Sequence, residues 1–166
     1  MRVLLKFVLD CEPDAAWKAL RSPAVFRQVS APLMTFVSLD DGGFAETWSP
    51  GEHRVEATAF GLLPAGRQLV DIHTEERLDH PHGRHEEPVV VRIVHDTGRG
   101  LTFPLNLVTD WHHRMAVSAL PSGRTLYRDE LTFSAGVFTP VVWAAFWVFW
   151  QWRGAAIRRL APHWTA

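Results

Sequence analysis

Cysteine, tyrosine and net charge are all scarce in this sequence, and each scarcity removes a class of function. Among 166 residues there is one cysteine, Cys11, so no internal disulfide can form. A lone thiol suits a reducing compartment, and a cytoplasmic location is the expectation. The 17 Lys and Arg and 18 Asp and Glu leave a formal net charge of −1, spread along the chain. Without a basic stripe there is nothing to neutralise phosphates, so nucleic acid is not expected as a partner. The sequence has no G-x-S-x-G elbow, H-E-x-x-H pair, phosphate loop or dinucleotide fingerprint. It therefore nominates no catalytic residue, metal or cofactor.

An unbroken apolar run long enough to cross a bilayer is also missing. No charge falls between Leu131 and Trp152, but Ser134, Gly136, Thr139 and Pro140 interrupt that stretch. What remains, Val141 to Trp150, is about ten residues, the length of a buried core helix rather than a span. No integral membrane span is expected. At the other end, MRVLLKFVLDC has a short apolar run broken by Lys6 and followed by Asp10 and Glu12, which reads as a first strand rather than a signal.

What the sequence has in excess is large rings: 8 Trp and 10 Phe beside 1 Tyr. Rings beyond what a core needs line binding surfaces and cavities. Three X-Pro pairs, Glu12-Pro13, Ser22-Pro23 and Thr139-Pro140, place a capping side chain before a proline suited to a first helical turn. They predict helices near 13–20, 23–29 and 140–161. Between them the apolar period is two, predicting strands near 2–9, 32–39, 53–61, 67–78, 89–96, 107–119 and 124–134. Turn chemistry at Asp40-Asp41-Gly42-Gly43, Pro64-Ala65-Gly66, Thr97-Gly98-Arg99-Gly100 and Pro121-Ser122-Gly123 separates them. The prediction is one α+β domain over residues 1–166. It consists of an antiparallel sheet of about seven strands, two short helices, and one long C-terminal helix on the inner face.

On a helical wheel, Gln151, Arg158 and Arg159 share the wet side of residues 140–161. Val142, Phe146, Phe149, Trp150, Ile157 and Leu160 lie opposite, with Arg153 among them. A charge in that position needs a partner. In TLYRDELTF, alternation groups Tyr127, Asp129, Leu131 and Phe133, and Asp129 is the acid on that apolar face. Asp129 and Arg153 are expected to meet as a buried ion pair, or to reach one polar group of a ligand together. Trp111, His113, Met115 and Val117 form the next inward row, where His113 is either a satisfied core histidine or a ligand contact. Val89, Val91, Ile93 and His95 form a third row, with the same two readings for His95. Trp147 and Trp152 flank the inward face. They can close a rim, touch lipid, join a second copy, or pack under loops.

Three segments carry a family likeness: PDAAWKALRSPAVFRQVSAPL, then VTDWHHRMAV with TLYRDELTFSAG, then FWQWRGAAIRRL. Together they resemble the START and birch-pollen-allergen superfamily, the helix-grip or SRPBCC proteins, over nearly the whole chain. The resemblance implies a curved sheet gripping the last helix around a cavity for lipids, polyketides or aromatic metabolites. It carries Asp129 and Arg153 over as family-like positions. The expected function is binding or transport of a small hydrophobic ligand. The expected contacts are Trp111, His113, Met115, Tyr127, Asp129, Phe133, Phe146, Phe149, Trp150 and Arg153. Some relatives are enzymes, so a cyclase, dehydratase or hydrolase using Asp129, His113 and Tyr127 is the alternative. A protein-interaction module built on the aromatic helix is the second, and that helix edge leaves peripheral lipid contact and a homodimer open.

LDHPHGRHEEP holds His80, His82 and His85 near Glu86 and Glu87, with His73 upstream, but H-x-H-x-x-H matches no rigid metal motif. A solvated loop between strands is the reading. Cys11, at the start of the first helix, is placed where a thiolate can be favoured, though no base is placed beside it.

Overall fold

Proline stands in the first turn of each of the three α-helices among the described residues, and alternation carries the chain between them. The computed structural model describes residues 1–79 and 88–166. The His80, His82 and His85 insert lies outside the described residues. Strand β1 (Arg2–Leu9) leads into helices α1 (Pro13–Leu20) and α2 (Pro23–Ser30). Strands β2 (Met34–Ser38), β3 (Gly51–Ala59), β4 (Leu63–Asp79) and β5 (Val89–Asp96) follow. After a two-residue β6 (Arg99–Gly100) come β7 (Thr109–Ala119) and β8 (Thr125–Ser134), and then the long helix α3 (Thr139–Leu160). The capping expectation holds at one site of three. Ser22 Oγ accepts from Val25 N, whereas Glu12 makes no side-chain cap. Thr139 lies inside its helix and ties the preceding turn, accepting from Ala135 N and donating to Gly136 O.

All pairings are antiparallel, in the order β1-β8-β7-β5-β4-β3-β2, with β6 beside β4. The curved sheet closes over α3, an α+β arrangement in which the helices share one face. Among the described residues no helix is long and apolar enough to cross a membrane.

One turn differs from the sequence reading. Pro64-Ala65-Gly66 does not end a strand. The reversal falls at Phe60 and Gly61, whose φ values of 52° and 68° suit a tight hairpin. Pro64–Gly66 then runs through the start of β4, where the register with β3 shifts between Ala57 and Thr58. Gly66 (φ 107°) is required there, since a Cβ would meet the Thr102 and Phe103 carbonyl oxygens at 2.9 Å. The first strand of the sheet packs tightly on α3 at Gly154, where a Cβ would lie 3.0 Å from Leu5 Cδ1.

The helix-facing core joins Leu9, Val55, Val94, Met115, Val117, Tyr127 and Ile157. Near the N-terminal half of α3 a second cluster packs Val3, Leu131, Phe133 and Trp150 together. The wheel assignment of α3 is met: Gln151, Arg158 and Arg159 are exposed, while Trp150, Arg153 and Ile157 are buried. The inward rows of β7 and β8 are met as well. The row of β5 is not. Val91, Ile93 and Ala116 form a separate cluster on the face away from the helices. His95 points there too, with its ring 5.5 Å from that of His112 and its Nε2 3.1 Å from Glu75 Oε2. The inward residues of β5 are Val94 and Asp96, paired with Met115 and His113; their row carries the charges Arg92 and Asp96, so apolar alternation alone picks out the opposite row.

Candidate functional site

Between the first half of α3 and the β2, β4 and β7 region lies a cavity of about 470 Å³. Its mouth is marked by exposed residues that line it, Phe60 at the β3–β4 reversal and Val148 on α3. Its floor is marked by buried ones: Asp96, His113, Trp150 and Arg153. The walls are apolar, with Phe26, Phe36 and Leu69 facing Phe146 and Phe149. A smaller cavity of about 40 Å³ lies beyond the floor and shares Asp96, His113 and Arg153 with the larger one.

Behind the floor sits a buried carboxylate that gathers its donors from three elements. Asp129 on β8 is 1% exposed. Its Oδ1 accepts from His113 Nε2 on β7 at 2.8 Å and from Trp150 Nε1 on α3 at 2.9 Å. Its Oδ2 accepts from the Tyr127 hydroxyl at 2.6 Å. Burial alone would raise the Asp129 pKa, but the facing His113 and Arg153 and the hydrogen bonds outweigh it. The carboxyl is held well below the usual carboxylate range. Tyr127 responds in the opposite sense, as burial and the adjacent Asp129 push its hydroxyl well above the usual range. Because an ionised carboxylate only accepts, His113 uses Nε2–H as a donor, and in the neutral ring Nδ1 is left as an acceptor.

The expected meeting of Asp129 with Arg153 occurs, but loosely. Arg153 Nε lies 3.9 Å from Asp129 Oδ2, beyond hydrogen-bond reach. His113, Trp150 and Tyr127 are the close partners instead. Arg153 donates from Nη2 to a sulfur, Met115 Sδ, at 2.9 Å, its guanidinium lies 5.8 Å from the Trp150 ring, and it acts on the neighbouring Tyr127 hydroxyl against the effect of burial.

Of the ten residues nominated from sequence, Trp111, His113, Phe146, Phe149, Trp150 and Arg153 line the main cavity. Met115 lines the smaller one. Tyr127, Asp129 and Phe133 line neither; they stand behind the floor and fix its shape. Asp96 was missed. It accepts from the backbone N–H groups of Asp71 and Gly98, both at 3.0 Å, and from Trp111 Nε1 at 3.2 Å. Burial pushes its carboxyl up, against the pull of His113 and these donors. Its sequence signal was the Asp96-Thr97-Gly98 turn, where an Asx side chain binds the backbone two residues on.

Of the two flanking tryptophans, Trp152 packs locally, as Trp143 does. Trp152 Nε1 donates to Ala31 O and Trp143 Nε1 to Arg2 O, both at 2.9 Å, so these rings pack on the protein's own backbone. Trp147 is 46% exposed. Cys11 is not activated: burial, the main cause, pushes its thiol up.

No family model and no curated protein matches the chain. Solved structures do. The chain is similar to protein CV1439 from Chromobacterium violaceum (13% identity, TM-score 0.57, covering 97% of this chain and 96% of that one). It is also similar to hypothetical protein jhp0584 from Helicobacter pylori (10% identity, TM-score 0.62, covering 97% and 88%). A third is a protein from Nitrosospira multiformis (11% identity, TM-score 0.59, covering 97% and 96%). At these identities the likeness concerns the fold alone.

Proposed function

We propose that the protein is a helix-grip protein that binds or carries a small apolar molecule between its sheet and α3. The observation that supports this most is the cavity of about 470 Å³, apolar along its walls and polar only at floor and rim. That volume and that make-up are those of small-molecule sites. The aromatic excess of the sequence is spent here, on Phe26, Phe36, Trp111, Phe146, Phe149 and Trp150. Titration with N-phenyl-1-naphthylamine, an apolar dye that brightens out of water, tests the reading. Saturable brightening that is lost in Ala145→Trp, which places a ring in the cavity from the exposed side, is the expected result. Brightening that is absent, or unchanged in that variant, refutes it.

A second reading is favoured by one feature of the floor. His113 lines the cavity while Asp129 fixes its Nε2, the base-and-orienter arrangement of acid–base enzymes of the cyclase, dehydratase or hydrolase type. Tyr127 is not free for such chemistry, since its hydroxyl is committed to Asp129. A ligand recovered by native mass spectrometry decides between them. If its mass changes with the wild type and not with His113→Gln, the protein is an enzyme; an unchanged mass with both supports a carrier.

A further inference from the structure

Among the described residues that line the apolar cavity, a buried cation has incomplete bonding. Arg153 is 5% exposed, yet among the described residues its Nε has no hydrogen-bond partner. A guanidinium carries five N–H donors. Here one of them meets the Met115 thioether, a weak acceptor, and the nearest carboxylate oxygen is 3.9 Å away. Asp129 has turned that carboxylate towards His113, Trp150 and Tyr127. A buried cation left this way costs stability unless something else accepts from it. Arg153 lines both the main cavity and the small one beyond it, so the acceptor that reaches it comes through the cavity.

The charges on the floor choose the kind of acceptor. Asp129 stands directly behind the floor, its Oδ2 3.9 Å from Arg153 Nε, and Asp96 lines the same floor, so the site of this guanidinium already holds two carboxyl groups. A ligand carboxylate would bring a third into a region of low dielectric, where like charges at such separations repel strongly. A neutral sp² oxygen accepts from the fork without adding charge. Resting on the proposal that the cavity binds an apolar molecule, we infer that its ligand is an uncharged carbonyl compound, a ketone or ester. Its oxygen accepts from Arg153 on the floor, and its apolar body lies against Phe146, Phe149 and Trp111. Arg153 is thus a specificity residue, rejecting both hydrocarbons that leave it unpartnered and acids that overload the floor.

Three naphthalenes of one skeleton test this by titration calorimetry: 2-acetylnaphthalene, 2-ethylnaphthalene and 2-naphthoate. The ketone is expected to bind at least about tenfold more tightly than the hydrocarbon, the effect of one hydrogen bond to a charged donor. The acid is expected to bind more weakly than the ketone, and Arg153→Met should erase the preference while still taking up 2-ethylnaphthalene. Equal binding of ketone and hydrocarbon, or tightest binding of the acid, overturns the inference while leaving the cavity proposal standing. Binding of none of the three overturns both. A wild-type measurement avoids dependence on the variant's folding. The infrared stretch of bound ¹³C-carbonyl 2-acetylnaphthalene should fall below its value in cyclohexane, and an unshifted band contradicts the inference.

Discussion

Replacing Asp129 with Asn keeps the shape of the buried centre and removes its charge. The carboxylate accepts from His113, Trp150 and Tyr127 at 2.8, 2.9 and 2.6 Å and is the nearest counter-charge to Arg153. Asparagine offers one acceptor oxygen and turns an amide donor on one of these donors or on the arginine. The variant therefore leaves a buried cation uncompensated, a class of change that costs about 3–5 kcal/mol. For a chain of this length each kcal/mol moves Tm by roughly 2–4 °C, so a fall of about 6–20 °C is expected. The pH dependence follows from the direction of the Asp129 shift. Its folded pKa lies below the ordinary carboxylate range, so its contribution is fully present above the unfolded value of about 4. It is lost progressively as pH falls below that value. Urea unfolding followed by tryptophan fluorescence at pH 7 and pH 3 should show the difference between wild type and variant shrinking on acidification. A difference under about 1 kcal/mol at pH 7, or one that persists undiminished at pH 3, refutes this account of the centre.

Other changes probe single parts of the design. Trp150→Phe keeps the ring in the core and removes the Nε1–H bond to Asp129; urea unfolding should show a loss of about 1.5–3 kcal/mol, as for a hydrogen bond to a charged group. At Gly98, a Cβ would collide with the Leu69 backbone carbonyl, so Gly98→Ala should cost about 3 kcal/mol, the upper part of the range for overpacking, and lower Tm in a thermal melt. Asp96 titrates in the opposite sense to Asp129: burial raises its folded pKa, so its contribution is present at low pH and lost as pH rises through that value. Asp96→Leu should therefore flatten the fall in stability that this group causes as pH rises above the ordinary carboxylate value of about 4, read by melting at a series of pH values. Cys11, with its thiol pushed up by burial, should react with iodoacetamide at pH 7 more slowly than glutathione does, measured by intact mass.

Local chemistry made much of this molecule legible in advance. Proline before each helix, and an apolar period that switches between two and 3.6, placed the helices and the strands of β7 and β8 with their inward rows. Arg153 stood out as a charge among rings on one helix face, and its burial follows. The parts that were not legible depend on long-range register. In β5 the row that carries Arg92 and Asp96 is the one facing the helices, and only pairing with β4 and β7 decides that Asp96, and not His95, does so. Asp129 was seen as the acid for Arg153, yet β7 brings His113 within 2.8 Å of it and α3 brings Trp150 within 2.9 Å. Sequence spacing shows which residues share a face; it does not show which of three nearby donors a carboxylate will take. The cavity wall opposite α3, from Phe26, Phe36 and Leu69, arises where α2, β2 and β4 converge, and no single segment announces it.

The claim on which the account turns is that the space beneath α3 takes up an apolar molecule. Indole N–H resonances in ¹H–¹⁵N spectra report on this directly, because Trp111 and Trp150 line the cavity while Trp17 and Trp147 do not. During titration with 2-acetylnaphthalene, the account predicts saturable shifts of the Trp111 and Trp150 signals with Trp17 and Trp147 unmoved. Shifts confined to Trp147, or no shift at any indole, contradict it.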